Sequence, residues 1–352
     1  MRKPIIICGE SALDFRRAQA GALFPSYEEV LWESKRRIRG DDYVCKLAIS
    51  AMKQLGLPAP LHLLAGGPGA RRNSRLVRFH YYSNAPKAED LEEILPGVCV
   101  CSPPLAIAQA SIRAEAAGAS LLMLEFCGTY ALSPQSRSGF VNTRRPIMKK
   151  ADLEDAFADR ERTPRYGRCP REDALACLAE NSNSPAESSV HALLSLPVEH
   201  GGFGIEGILL NEPVKLNLRG TEMLGTNQIR PDFLIPTART AGEYKSRMFH
   251  PEGSWTNDDR RIDALEATGY HTFTLNNERS RSLADFAAIA HAIKVRCGAG
   301  PDTPDEEALR RQTDLHRRLF LSPPQVRKAS ELEGDEFARH ADPFTCGYTT
   351  LN

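Results

Sequence analysis

The stretch from Arg230 to Lys245 constrains this chain more than any other. It reads Arg-Pro-Asp-Phe-Leu-Ile-Pro-Thr-Ala-Arg-Thr-Ala-Gly-Glu-Tyr-Lys. Successive strand side chains alternate faces, so Glu243 and Lys245 share one face of a strand and Tyr244 takes the other. Residues 236–242 hold proline, threonine and glycine and suit a reversal of direction. The reversal brings Asp232, at the start of the preceding strand, toward Glu243 and Lys245. The expected hairpin therefore collects two carboxylates and one ammonium in a single pocket.

That set of groups has a chemistry. Carboxylate oxygens are hard ligands suited to Mg2+ or Mn2+, and a lysine point charge orients or deprotonates an attacking water. Hydrolysis of a phosphodiester builds negative charge on a group that is already anionic, and a divalent cation with a nearby ammonium offsets it. A plain hairpin with surface charges fits the same string, so the flanking residues matter. Upstream, 184–196 reads as a helix with serine and proline at its start and an apolar stripe at Val190, Leu193, Leu194 and Leu196. Its first turn carries Glu187, at a position where the helix dipole favours an acid without any metal. His191 follows one turn later and reads as a residue that caps a neighbour. Downstream, a helix starts at Asn257 or Asp258, carries Ile262 and Leu265 on its apolar side and ends at Gly269. The run 270–275 has strand composition. Strand, helix, strand predicts a right-handed parallel crossover that extends the sheet beyond the hairpin.

Pro231-Asp232 and Glu243-Tyr244-Lys245 resemble the PD-(D/E)xK nuclease superfamily. The region from Phe249-His250 through Asp259-Arg260-Arg261-Ile262-Asp263-Ala264-Leu265 to the Gly269-Tyr270 strand is similar to the very-short-patch-repair group of endonuclease-like domains. Together the resemblance covers about a third of the chain. It implies a restriction-endonuclease-like core, a C-terminal mixed β-sheet flanked by helices, acting on DNA. It implies Asp232 and Glu243 as ligands of Mg2+ or Mn2+, Glu187 completing the catalytic set and Lys245 positioning the nucleophile. His250, Asp259 and Arg260 would lie close to the nucleic-acid phosphate. Many members of that group carry an acid where this chain has Lys245, so the chain is closer to the Glu-x-Lys form, which favours retained chemistry. The alternative is a non-catalytic DNA-binding regulator, antitoxin-like, that keeps the fold without turnover. A module with a fortuitous hairpin is a third possibility, and it predicts Glu187 far from Asp232.

The whole chain reads as α+β in two domains. The expected division is an N-terminal α/β module over 1–132, a linker with a short helix over 133–170, the nuclease-like domain over 171–296, and a C-terminal helix and tail over 297–352. In the first part, 4–9, 60–64, 76–82 and 97–101 have strand composition, while 27–38, 43–55 and 105–117 have helical spacing. The Gly66-Gly67-Pro68-Gly69 loop reads as a flexible hairpin between two of those strands, since it lacks the lysine and Ser/Thr of a phosphate loop. The organisation of this part is weakly similar to the region preceding the nuclease-like domain in proteins related to AbiE-type antitoxins.

A length of 352 residues, with 41% hydrophobic and 26% charged, is enough for two cores. No apolar run reaches a bilayer span and the first residues lack a signal-peptide core, so a cytoplasmic protein with no membrane partner is expected. Forty-five basic and forty-five acidic residues balance, which excludes a broadly basic surface and leaves any phosphate contact to local clusters. The nine cysteines form no Cys-x-x-Cys pair. They read as reduced residues, with Cys99-x-Cys101 the closest spacing.

Overall fold

A computed structural model describes residues 4–24, 43–66, 73–82, 86–112, 114–143, 145–159, 170–245, 255–299 and 304–321. The chain is mixed α and β, and forms two compact units. The first is Met1–Glu115 with Ala131–Arg171, and the second is Ala116–Tyr130 with Glu172–Leu351. Among the described residues no helix is long and apolar enough to cross a membrane.

The first unit is built on β1 (Ile5–Ile7), β2 (Leu61–Leu64), β3 (Val77–His80), β4 (Leu91–Leu95) and β5 (Val98–Cys101), in the order β3-β2-β1-β5-β4. The apolar strand β1 is central, parallel to β5 and antiparallel to β2, as suits a run with little polar alternation. Helices Gly9–Gln19 and Pro103–Ala110 follow these two parallel strands and pack on each other. Polar side chains satisfy the backbone at the end of β1. Gln109 Oε1 accepts from Gly9 N at 2.9 Å and Ser11 Oγ accepts from His62 N at 2.9 Å. Burial and the neighbouring Arg78 push the His62 imidazole down to about 4, so it is neutral at pH 7.

Several expectations change here. β2 and β3 are parallel, not a hairpin, and the intervening 65–76 is about the dozen residues that a parallel crossover requires. Strand β4 was hidden by its Leu-Glu-Glu-Ile-Leu composition. It is an edge strand with both glutamates exposed, and charge on an edge is a recognised guard against mispairing. The helix expected over 105–117 is two helices, Pro103–Ala110 and Ala116–Phe126. The first ends where Ser111 Oγ donates back to the Ile107 carbonyl, a local bond that competes with helix continuation. The helix expected over 27–38 lies outside the described residues. Where the sequence suggests an exposed linker, β6 (Tyr130–Leu132) and β7 (Phe140–Asn142) form a two-stranded sheet with Ser133 and Phe140 buried.

In the second unit the helix Pro185–Ser195 leads into β8 (Leu209–Leu210). A small antiparallel pair follows, β9 (Val214–Lys215) with β10 (Gln228–Ile229), spanned by the helix Leu218–Leu224. Then come β11 (Phe233–Ile235), β12 (Thr240–Lys245), the helix Trp255–Ala267 and β13 (His271–Asn276). The four-stranded sheet has the order β13-β12-β11-β8. β12 is antiparallel to β11, with Phe233 opposite Gly242, and parallel to β13 along its whole length. One sheet face, at Leu234 and Ala241, is sealed by Ala264 and Leu265 of the crossover helix with Val214, Leu216 and Ile229. The C-terminal helix begins at Glu306, where Asp305 caps it by accepting from Ala308 N.

The opposite sheet face is closed differently. A Cβ added to Gly242 would lie 2.2 Å from Phe273 Cζ, and the Phe273 ring stacks on Phe233 at 6.1 Å between centroids. Glycine leaves the space that this ring fills. Gly242→Ala is expected to destabilise the chain by about 1–3 kcal/mol through overpacking. In urea unfolding, the Gly242→Ala/Phe273→Leu double variant should lose less than the sum of the two singles. Strict additivity would show that the ring does not depend on the glycine.

Candidate active site

The site forms where the ladder between β11 and β12 ends. Asp232 immediately precedes β11, and continuing the register of Phe233 with Gly242 puts Asp232 opposite Glu243, where cross-strand Cβ atoms lie about 5 Å apart. Asp232 Oδ2 accepts from Tyr244 N at 2.6 Å, so the carboxylate replaces the next ladder bond. Tyr244 is buried while Glu243 and Lys245 are half-buried, the alternation expected of the strand. Its hydroxyl donates to Asn277 Oδ1 at 2.7 Å.

Glu243 and Lys245 share the sheet face of Ala241 and so meet the crossover helix, one turn before the residues that seal the core. Arg261 Nη2 donates to Glu243 Oε1 at 2.8 Å and to the Arg230 carbonyl at 2.7 Å. Lys245 Nζ lies 3.7 Å from Asp259 Oδ1, whose side chain is 72% exposed, a pair too open to contribute much stability. Arg260 is exposed. His250 lies outside the described residues.

Glu187 reaches the same neighbourhood from the helix Pro185–Ser195. Ser184 caps that helix by accepting from Glu187 N at 3.2 Å, and its hydroxyl donates to Glu187 Oε1 at 2.9 Å. Glu187 Oε2 accepts from Asn183 N at 2.9 Å and from Asn211 Nδ2 at 2.7 Å. This is a reciprocal capping arrangement in which both carboxyl oxygens are engaged. Burial pushes the Glu187 carboxyl above the ordinary carboxylate range, hydrogen bonds from Asn183, Asn211 and Ser184 oppose that shift, and the Glu243 carboxylate adds to it. The last contribution places Glu187 within electrostatic reach of Glu243.

Asn211 carries this geometry without having been singled out in the sequence, and Arg261, read there only as part of a basic pair on the helix, engages Glu243. Asn211 adopts φ 54°, and its N donates to the Asp232 carbonyl at 3.2 Å while its side chain binds Glu187 and the Asn181 carbonyl. It thus joins the helix start to the start of β11. The signal available was an asparagine directly after an apolar strand, a residue that tolerates the left-handed region. His191 is buried, with Nδ1 3.2 Å from Ser195 Oγ. Among the described residues no group of three His, Cys, Asp or Glu side chains is arranged to hold a metal ion. In the first unit, burial pushes the Cys101 thiol up to about 12, so Cys99 and Cys101 form no thiolate pair at neutral pH. Compared with models of protein families, with curated proteins and with solved structures, the chain matches none.

The Glu187 environment sets a pH dependence. A carboxyl whose folded pKa is raised binds its proton more tightly in the folded state. Its protonation therefore stabilises the fold at low pH, and that contribution is lost as pH rises from the unfolded carboxylate range through the raised value. Glu187→Gln keeps the shape, and its amide oxygen accepts from Asn183 and Asn211. Thermal unfolding from pH 4 to pH 8 is expected to show the Gln variant gaining on the wild type as pH rises. A gap that stays constant over this range would mean that Glu187 titrates normally.

Proposed function

We propose that the second unit is a metal-dependent endonuclease domain that hydrolyses DNA phosphodiester bonds. The observation that carries the reading is the convergence of Asp232 and Glu243 on facing strands, with Lys245 two residues on and Glu187 within electrostatic reach. A fortuitous hairpin predicts Glu187 remote from Asp232, yet the two are bridged through Asn211. Setting aside the β9-β10 insertion between β8 and β11, the order helix, three sheet strands, helix, strand, with the last two strands parallel, suits the nuclease core implied by the Pro-Asp and Glu-x-Lys resemblance.

Mg2+ or Mn2+ fits these donors. Magnesium is commonly held by one or two carboxylates, with water and substrate phosphate completing its octahedron, and Asp232 and Glu243 supply that number. Glu187 has both oxygens committed to the helix start and supports the site electrostatically or through water. The bound metal would supply charge stabilisation at the phosphorus and a more acidic water. Lys245, with Asp259 3.7 Å from its ammonium, would orient the attacking water. Arg260, exposed on the helix that faces the strand, would meet a phosphate oxygen.

The second reading, a DNA-binding regulator without turnover, has one observation in its favour. Asp232, Glu243 and Lys245 each have an internal partner, and a fold remnant would retain such pairs without a metal. Cleavage of supercoiled plasmid, single-stranded and mismatched DNA in Mg2+ or Mn2+ separates the two. Wild type is expected to cut, and Lys245→Ala and Glu243→Gln to lose about 10²-fold or more in rate. Binding without cleavage by any of the three would sink the enzyme reading and favour the regulator.

A further inference from the structure

Arg261 holds an unusual place in this site. One guanidinium nitrogen donates both to Glu243 Oε1, at 2.8 Å, and to the Arg230 carbonyl, at 2.7 Å, two residues ahead of Asp232. It therefore ties β12 to the chain entering β11, the two arms that carry the acids. The pair is half-buried, with 29% of the Arg261 side chain and 14% of the Glu243 side chain exposed. Lys245, the other cation nearby, faces Asp259 at a looser 3.7 Å. Glu243 also feels the Glu187 carboxylate, and the Arg261 guanidinium beside it offsets that repulsion.

We infer that Arg261 is an internal counter-cation that competes with the divalent metal for Glu243, and that metal binding frees it to bind a DNA phosphate. The inference rests on the nuclease reading and adds a regulatory step to it. A guanidinium and a divalent cation beside one carboxylate repel each other, so the Arg261 charge opposes metal binding at Glu243. Phosphate oxygens suit the planar, multi-donor guanidinium. A phosphate that draws Arg261 away therefore raises metal affinity, and by reciprocal linkage metal raises phosphate affinity by the same factor. Arg261 is a positioning and regulatory residue in this scheme, and its effect on metal binding is visible without turnover.

The test is binding of Mn2+ alone to the full chain, followed by the electron paramagnetic resonance signal of free Mn2+. The proteins are wild type, Arg261→Met, Arg261→Gln and Glu243→Gln. Both Arg261 variants are expected to bind Mn2+ about two- to fivefold more tightly, the range a half-exposed ion pair supports. A short DNA duplex should then strengthen Mn2+ binding in the wild type and no longer do so in either variant. Arg261→Gln can still donate to the Arg230 carbonyl, so it answers the question if Arg261→Met fails to fold. Equal or weaker Mn2+ binding in the Arg261 variants, with binding lost in Glu243→Gln, would make Arg261 a plain strut and overturn the inference alone. Equal binding, or none, in wild type and Glu243→Gln would remove the metal site and with it both the inference and the nuclease reading.

Discussion

Strand β12 is bonded along both edges, antiparallel to β11 and parallel to β13, and the placement of Asp232, Glu243 and Lys245 follows from its register. With Gly242 opposite Phe233 on one side and Phe273 on the other, Ala241, Glu243 and Lys245 must share the face that meets the crossover helix. A slip by one residue would turn Glu243 and Lys245 toward Phe273 and send Tyr244 to the helix. Gly242 resists that slip, because the Phe273 ring occupies the space in which any side chain at 242 would lie. The aromatic packing on one face and the charged cluster on the other are thus two consequences of one alignment.

Bringing carboxylates together is unfavourable, and the structure meets that cost locally. Glu187 is buried and close enough to Glu243 to be repelled by it, yet it accepts three hydrogen bonds at a helix start, where partial positive charge accumulates. Asp232 is steadied by a backbone N–H and Glu243 by a guanidinium. Asn211 is spent in a backbone region that most residues avoid, and in return couples the helix to the sheet. Each acid has donors of its own, so substituting one partner need not release the others.

Much of this was legible from period and punctuation. The hairpin from Asp232 to Lys245, the helix begun by Ser184-Pro185 and the strand after Gly269 all rest on local signals, and each lies within a few residues of its expected place. What was not legible depends on partners distant in sequence. Nothing in Leu91-Glu92-Glu93-Ile94-Leu95 announces an edge strand, since its stability comes from pairing with β5. The parallel pairing of β2 with β3 is a property of the sheet and not of the Gly66 loop. Arg261 and Asn211 belong to the same class, because their importance lies in what they touch 18 and 24 positions away. A single chain without such contacts offers only an arginine in a helix and an asparagine in a turn.

A chain with no net charge cannot rely on a diffuse basic surface to collect a polyanion. Whatever affinity it has for nucleic acid must come from few contacts, each placed where it also serves another purpose. In the second unit the crossover helix supplies such contacts: Ala264 and Leu265 seal the core, Asp259 and Arg261 engage Lys245 and Glu243, and Arg260 faces solvent. Because one helix carries core, counter-charge and exposed cation together, occupation of the acids and capture of an anion would be linked events under the nuclease reading. Under that reading, the linkage would follow from spacing on a helix, where residues three and four apart share a face.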